Sequence, residues 1–177
     1  MRTPILSALF LLAAIPFGAD ARADENRAML DSMVGQWAGS GQLTYTKEWT
    51  MPFRCEIEGR PANTESTVDL VGRCWSGPIW SRMGAALRYN KRSQSYIGRF
   101  RDGTSTFVID IKGKPADQAM ALDLRQGQQR GAMDVAFMSK NRIDLKVSVI
   151  NPKTRDQRQV IDLTLDRKAF KVSALEN

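Results

Sequence analysis

The chain contains no histidine. Imidazole is the usual general base near neutral pH and a common ligand for zinc, copper and haem iron. Its absence excludes a Ser-His-Asp triad, a Cys-His dyad, an HExxH zinc site and a His-ligated haem. Cysteine is scarce as well: only Cys55 and Cys74 are present, with no CxxC spacing. With no His either, a disulfide is favoured over the alternative of a reactive or metal-binding thiol pair. After the first residues no apolar run approaches the roughly 20 residues that a spanning helix needs. Any enzyme built from this chain would have to rely on carboxylates, Lys, Tyr, Ser or Cys, so the expectation is a non-enzymatic protein with no cofactor and no metal.

What is present begins with an address. Arg2 supplies a short positive region, Ile5–Ile15 an apolar one, and Ala21-Arg22-Ala23 an A-x-A cleavage site. These are the three parts of a secretory signal peptide, in order. The sequence predicts removal of residues 1–23 between Ala23 and Asp24, leaving 24–177 as a single domain in the periplasm, or secreted beyond it, with no transmembrane segment in the mature chain. No cysteine stands at the cleavage site to carry a lipid.

The whole chain carries 26 Lys and Arg against 19 Asp and Glu, a formal net charge of +7, and it stays basic without the signal. A basic exported protein is suited to meet anionic lipid, cell-wall polymer or a small anionic ligand. Nucleic acid is not an expected partner, because no basic helix and no aromatic-basic motif is present.

Asp24–Val34 is the one helical stretch, with Ala28, Met29 and Met33 at helical spacing. Beyond Gly35 the period changes to two. Phe107-Ile109-Ile111, Met120-Leu122-Leu124, Met133-Val135-Phe137, Ile143-Leu145-Val147-Val149 and Ile161-Leu163-Leu165 each alternate with polar or small residues. Such runs read as strands with one buried and one wet face. Earlier strands are predicted near 36–47, 49–58, 66–76, 79–89 and 95–101. Turn chemistry separates the runs at Gly59-Arg60-Pro61, Gly77-Pro78, Asn90–Ser93, Gly113-Lys114-Pro115, Gln126-Gly127-Gln128, Lys140-Asn141 and Asn151-Pro152. The fold class is all-β: an antiparallel up-and-down β-barrel of about 8–10 strands with a short N-terminal helix. A two-sheet sandwich is the alternative; closure is favoured because it removes exposed edges.

The cysteines agree with this pairing. The midpoint between positions 55 and 74 falls in the loop predicted at 59–65, so antiparallel pairing about that loop sets Cys55 opposite Cys74. Directly opposed side chains are close to what a disulfide needs, and an even cysteine count in an oxidising compartment points the same way.

Gly35-Gln36-Trp37-Ala38-Gly39-Ser40-Gly41, following a short helix and opening a string of hairpins, resembles the calycin superfamily. The likeness is nearest to nitrobindin-like and fatty-acid-binding-protein-like barrels, then to lipocalins. The resemblance implies a barrel with an interior cavity and a Trp37 that plugs one end. It does not carry over haem, because the His that a nitrobindin-like site requires is missing.

Cations and aromatics gather between 73 and 101. On the fourth strand Trp80, Arg82 and Arg88 share one face, while Met83, Leu87 and Tyr89 share the other; on the third, Arg73 and Trp75 share a face. Pointing inward, the Trp/Arg faces would hold arginines above aromatic walls, suited to a lipid acid because Arg grips carboxylate bidentately. Pointing outward, they form a basic stripe with Arg stems on Trp. The candidate ligand-binding residues are Trp37, Arg73, Trp75, Trp80, Arg82, Arg88, Tyr89 and Arg99. The leading expectation is a protein binding a small amphipathic or anionic ligand, a lipid or lipid-like acid. The alternative is an envelope interaction protein whose basic face meets cell-wall, outer-membrane or protein partners. A third reading is a hydrolase using Glu56 and Glu58, which share a strand face at a separation near that of an inverting glycosidase pair.

Overall fold

A computed structural model describes residues 19–46, 48–62, 64, 66–103 and 108–169. Alternation of period two becomes ten strands after one helix. The helix α1 spans Ala19–Asp31. The strands are β1 (Gly35–Thr44), β2 (Thr50–Pro61), β3 (Thr67–Ser76), β4 (Ile79–Asn90), β5 (Ser95–Asp102), β6 (Val108–Ala116), β7 (Ala119–Gln126), β8 (Gln129–Ser139), β9 (Arg142–Ile150) and β10 (Gln157–Arg167). Each pairs antiparallel with its neighbour in sequence, and β1 pairs with β10, so the sheet closes into an up-and-down barrel. Closure leaves no free sheet edge and settles barrel against sandwich. No helix among the described residues is long and apolar enough to cross a membrane.

The hydrogen-bond register decides which face of each strand looks inward. Cys55 opposes Cys74, Ile57 opposes Gly72 and Gly59 opposes Leu70; on the next seam Val68 opposes Leu87 and Leu70 opposes Ala85. The inward set continues through Tyr89↔Tyr96, Ile111↔Leu124, Met120↔Val135, Phe137↔Ile143 and Leu163↔Leu145. The large apolar side chains of this set, with Leu30 from the helix and Met33 from the turn after it, form one core. Cys55 and Cys74 are joined by a disulfide with their Cα atoms 4.1 Å apart, and Cys55 is buried inside the barrel.

Three local readings need correction. The Gly113–Pro115 break is strand: β6 runs on to Ala116 and the turn falls at Asp117-Gln118. A Cβ on Gly113 would run into the Ala121 carbonyl and the Leu122 backbone, so the glycine permits close approach of β7 rather than a turn. Pro115 is tolerated because β5 has already stopped at Gly113, leaving no neighbour on that side to receive an N–H. Likewise β2 passes through Gly59 to Pro61, and the connection lies at 62–66. The helix ends at Asp31 rather than at 34; Met33 and Val34 instead close a tighter turn, donating to the carbonyls of Leu30 and Asp31 at 3.0 and 3.1 Å.

Candidate functional site

The two ends of the barrel differ. One end is shut. Trp37, 3% exposed, fills it and donates its indole N–H to the Met33 carbonyl at 2.9 Å. The Arg167 guanidinium lies 4.3 Å from the Trp37 ring centroid and donates to the carbonyls of Val34 and Ser32, both at 2.6 Å. Those carbonyls belong to the tight turn that leads from the helix into β1. Asn26 on α1 ties the helix to the wall: its amide donates to the Tyr89 hydroxyl, and its carbonyl accepts from Tyr96, each at 3.1 Å. Burial pushes the Tyr96 phenol well above its ordinary range, with smaller contributions from Tyr89 and Glu25.

Towards the other end the inward face changes character. Phe53, Leu70, Met83, Phe100, Leu145 and Val147 all point to the barrel axis by register, are apolar, and stay only partly buried. At the floor the equivalent inward residues Val68, Leu87, Met120 and Ile143 are buried. A side chain inside a closed wall meets solvent only from within that wall. The upper inner face, the cup, is therefore apolar and only partly covered, and it packs against the core below it; it lies at the end that carries the turns β1–β2, β3–β4, β7–β8 and β9–β10. At its rim Arg158 donates to the carbonyls of Thr44 and Tyr45 at 3.2 and 3.1 Å.

The sequence-singled residues divide cleanly. Trp37 and Tyr89 point inward but belong to the floor. Arg73, Trp75, Trp80, Arg82, Arg88 and Arg99 all point outward, since their strand neighbours Cys74, Met83, Leu87 and Gly98 take the inward register. They do not line the cup. Four of them form a stacked group instead: Arg73 lies 5.3 Å and Arg82 5.9 Å from the Trp80 ring, and Arg54 lies 5.5 Å from Trp75, beside the Trp75↔Trp80 cross-strand pair. Arg88 stands apart near the shut end, and Arg99 pairs with Asp110 at 3.3 Å. The cup residues were missed because alternation marks them only as apolar; nothing in the run Leu145–Val147 distinguishes a cavity wall from a filled core.

Glu56 and Glu58 also face outward. They border a shallow recess of about 560 Å3 with Arg60, Val71, Arg73 and Arg82. Lys168 bonds Glu56 at 2.8 Å and Arg60 bonds Glu58 at 2.6 Å, and each contact holds its carboxyl below the ordinary value. A general acid at neutral pH needs the opposite shift. Outward aspartates stand opposite cations across the strands: Asp110 opposite Arg125, Asp123 opposite Lys112 and Asp134 opposite Lys146. Among the described residues no group of carboxylates and cysteines is placed to hold a metal ion.

No family model and no curated protein matches the chain. Solved structures do. The barrel is similar to Rv2717c from M. tuberculosis, with a TM-score of 0.65 and 11% identity over 81% of this chain and 98% of that one. It is also similar to the S-type phycobiliprotein lyase CPES from Guillardia theta, with a TM-score of 0.60 and 10% identity over 88% of this chain and all (100%) of the other. At such identities the likeness is one of fold alone, a closed antiparallel barrel.

Proposed function

We propose that the protein is a non-enzymatic carrier that holds a small amphipathic molecule, a lipid or lipid-like acid, in the open half of its barrel. The observation that carries this reading is the cup itself: inward apolar side chains, among them Phe53, Met83, Phe100 and Val147, that their own fold leaves partly uncovered. An apolar chain or ring system entering the cup would cover them, each fully buried side chain of that size being worth about 1.5–3 kcal/mol. The ligand's polar head would remain at the rim, with Arg158 the inward cation nearest to it. The outward arginines have no part in holding it. The similarity to a phycobiliprotein lyase agrees with a barrel that handles a small molecule.

Export to the periplasm supplies the setting. The tripartite leader at 1–23 and the Cys55–Cys74 pair support it, and cleavage after Ala23 keeps Asn26, Leu30 and Met33, the contacts that seat α1, in the mature domain 24–177.

Native mass spectrometry of protein purified without detergent from the producing cells tests both statements. The expected spectrum starts at Asp24 and carries a non-covalent adduct removed by organic extraction. A chain that stays empty after incubation with long-chain acids, phospholipids and isoprenoid acids would refute carriage.

A further inference from the structure

Of the seven large hydrophobic residues left exposed among those described, Val71, Met138 and Val149 stand singly on β3, β8 and β9. The other four lie together: Ile79 is 71% exposed, Trp49 55%, Trp80 50% and Tyr45 49%. All four sit at the tips of two hairpins, β1–β2 and β3–β4, at the open end. The tips are neighbours because β2 pairs with β3. Tyr45 and Trp49 stack at 4.8 Å, which stiffens the first tip. Just behind the second tip, Arg73 and Arg82 stand directly opposite each other, both over the Trp80 ring. Like charges in such a cross-strand pair repel. Among the described residues neither has a carboxylate in ion-pair contact, since Glu56, the neighbour opposite Arg73, is bonded to Lys168.

We propose that the open rim docks on a lipid bilayer bearing anionic headgroups. Trp49, Ile79, Trp80 and Tyr45 would enter the interface, and Arg54, Arg73 and Arg82 would lie at headgroup level. The arrangement matches a membrane boundary from the outside in: amphipathic aromatics at the tip, then guanidinium groups one or two residues back along the strand. The charge is complementary, because the acidic residues of this end, Glu48, Asp102 and Asp156, are outnumbered by its arginines and lysines. The occupant is a bilayer rather than a folded protein because the apolar groups stand on separate tips beside a wet mouth. A fluid surface conforms to that outline, whereas a rigid partner would have to match it. The proposal rests on the carrier reading in one respect: docking in this pose presents the mouth of the cup to the layer from which an amphipathic ligand would come.

The test is sedimentation of the mature protein with vesicles of phosphatidylcholine alone and of phosphatidylcholine with about one-third phosphatidylglycerol. The expected result is binding to the anionic vesicles that weakens with salt, with quenching of tryptophan fluorescence by brominated lipid. Trp49→Ser/Trp80→Ser and, separately, Arg73→Gln/Arg82→Gln should each weaken partition about tenfold or more while leaving the thermal transition in place. Binding of a soluble fluorescent long-chain acid, measured without vesicles, separates the two ideas. Vesicle docking without acid binding leaves the docking surface standing and removes the carrier; the reverse removes the docking surface alone. Wild-type protein that ignores anionic vesicles, or folded variants that bind like wild type, would overturn the proposal.

Discussion

Arg167, the last residue of β10, lies with its guanidinium 4.3 Å from the ring centroid of Trp37 on β1 and binds the turn after the helix with the same group. One side chain thereby joins the two ends of the chain's strand order, the seam that closes the barrel and the lid that shuts it. Trp37 opposes Arg167 in the register, so the contact follows from closure rather than from chance proximity.

Arg167→Ala should therefore act on the fold and not on the cup. It leaves the Val34 and Ser32 carbonyls short of donors in a partly buried place, a loss of about 2–3 kcal/mol. The thermal transition should fall by roughly 4–10 °C, read by circular dichroism. Arg167→Lys should recover little, since an ammonium does not reproduce the planar fork.

Reducing the disulfide, or replacing both cysteines as Cys55→Ala/Cys74→Ala, should lower stability by about 2–4 kcal/mol in urea. The slope of free energy with denaturant should also rise, because a chain freed of its cross-link exposes more surface on unfolding. An unchanged transition would mean that β2 and β3 are held together sufficiently by their ladder alone.

The cup predicts a sharp asymmetry between inward and outward variants. Ala85→Trp places a large ring between Leu70 and Phe100 and should weaken binding of a long-chain acid about tenfold or more, a change of roughly 1.4 kcal/mol or above. Arg88→Ala and Arg99→Ala should leave affinity within about twofold, a difference of only a few tenths of a kcal/mol. Titration with a fluorescent acid decides; a large loss for the arginine variants would return those residues to the ligand.

Tyr96 should be silent in alkaline titration. Its phenol is raised by burial in the folded chain, so the folded state resists losing that proton while the unfolded state does not. Its stabilising share is complete below the ordinary tyrosine value of about 10 and drains away as the pH climbs past it. Ultraviolet absorbance should show one of the three tyrosines ionising only as the barrel unfolds.

Glu56 works in the other direction. The Lys168 hydrogen bond, and then its charge, lower the Glu56 carboxyl from 4.5. The contact's contribution is whole above the ordinary carboxylate range and fades as the pH falls through the lowered value. Lys168→Met should thus separate from wild type at neutral pH and converge with it in acid. The gap should be small and close with salt, as for any exposed pair.

Much of this architecture can be read without coordinates. Runs such as Ile143-Leu145-Val147 and Ile161-Leu163-Leu165 announce strands by alternation, and the Cys55–Cys74 midpoint locates a hairpin, because both signals are local and have a period. Three things depended on tertiary contact. Gly113 and Pro115 resemble a turn, yet they are strand because β7 crosses close to one and β5 has ended before the other. The direction of the Trp80/Arg82 face is invisible to alternation, which separates two faces and does not say which is inside; the disulfide register and barrel closure decide it. The cup is further still from the sequence. Leu70 and Val147 are ordinary strand residues, and they become a partly covered inner face only because the barrel closes around them while the helix and Trp37 cover the far end.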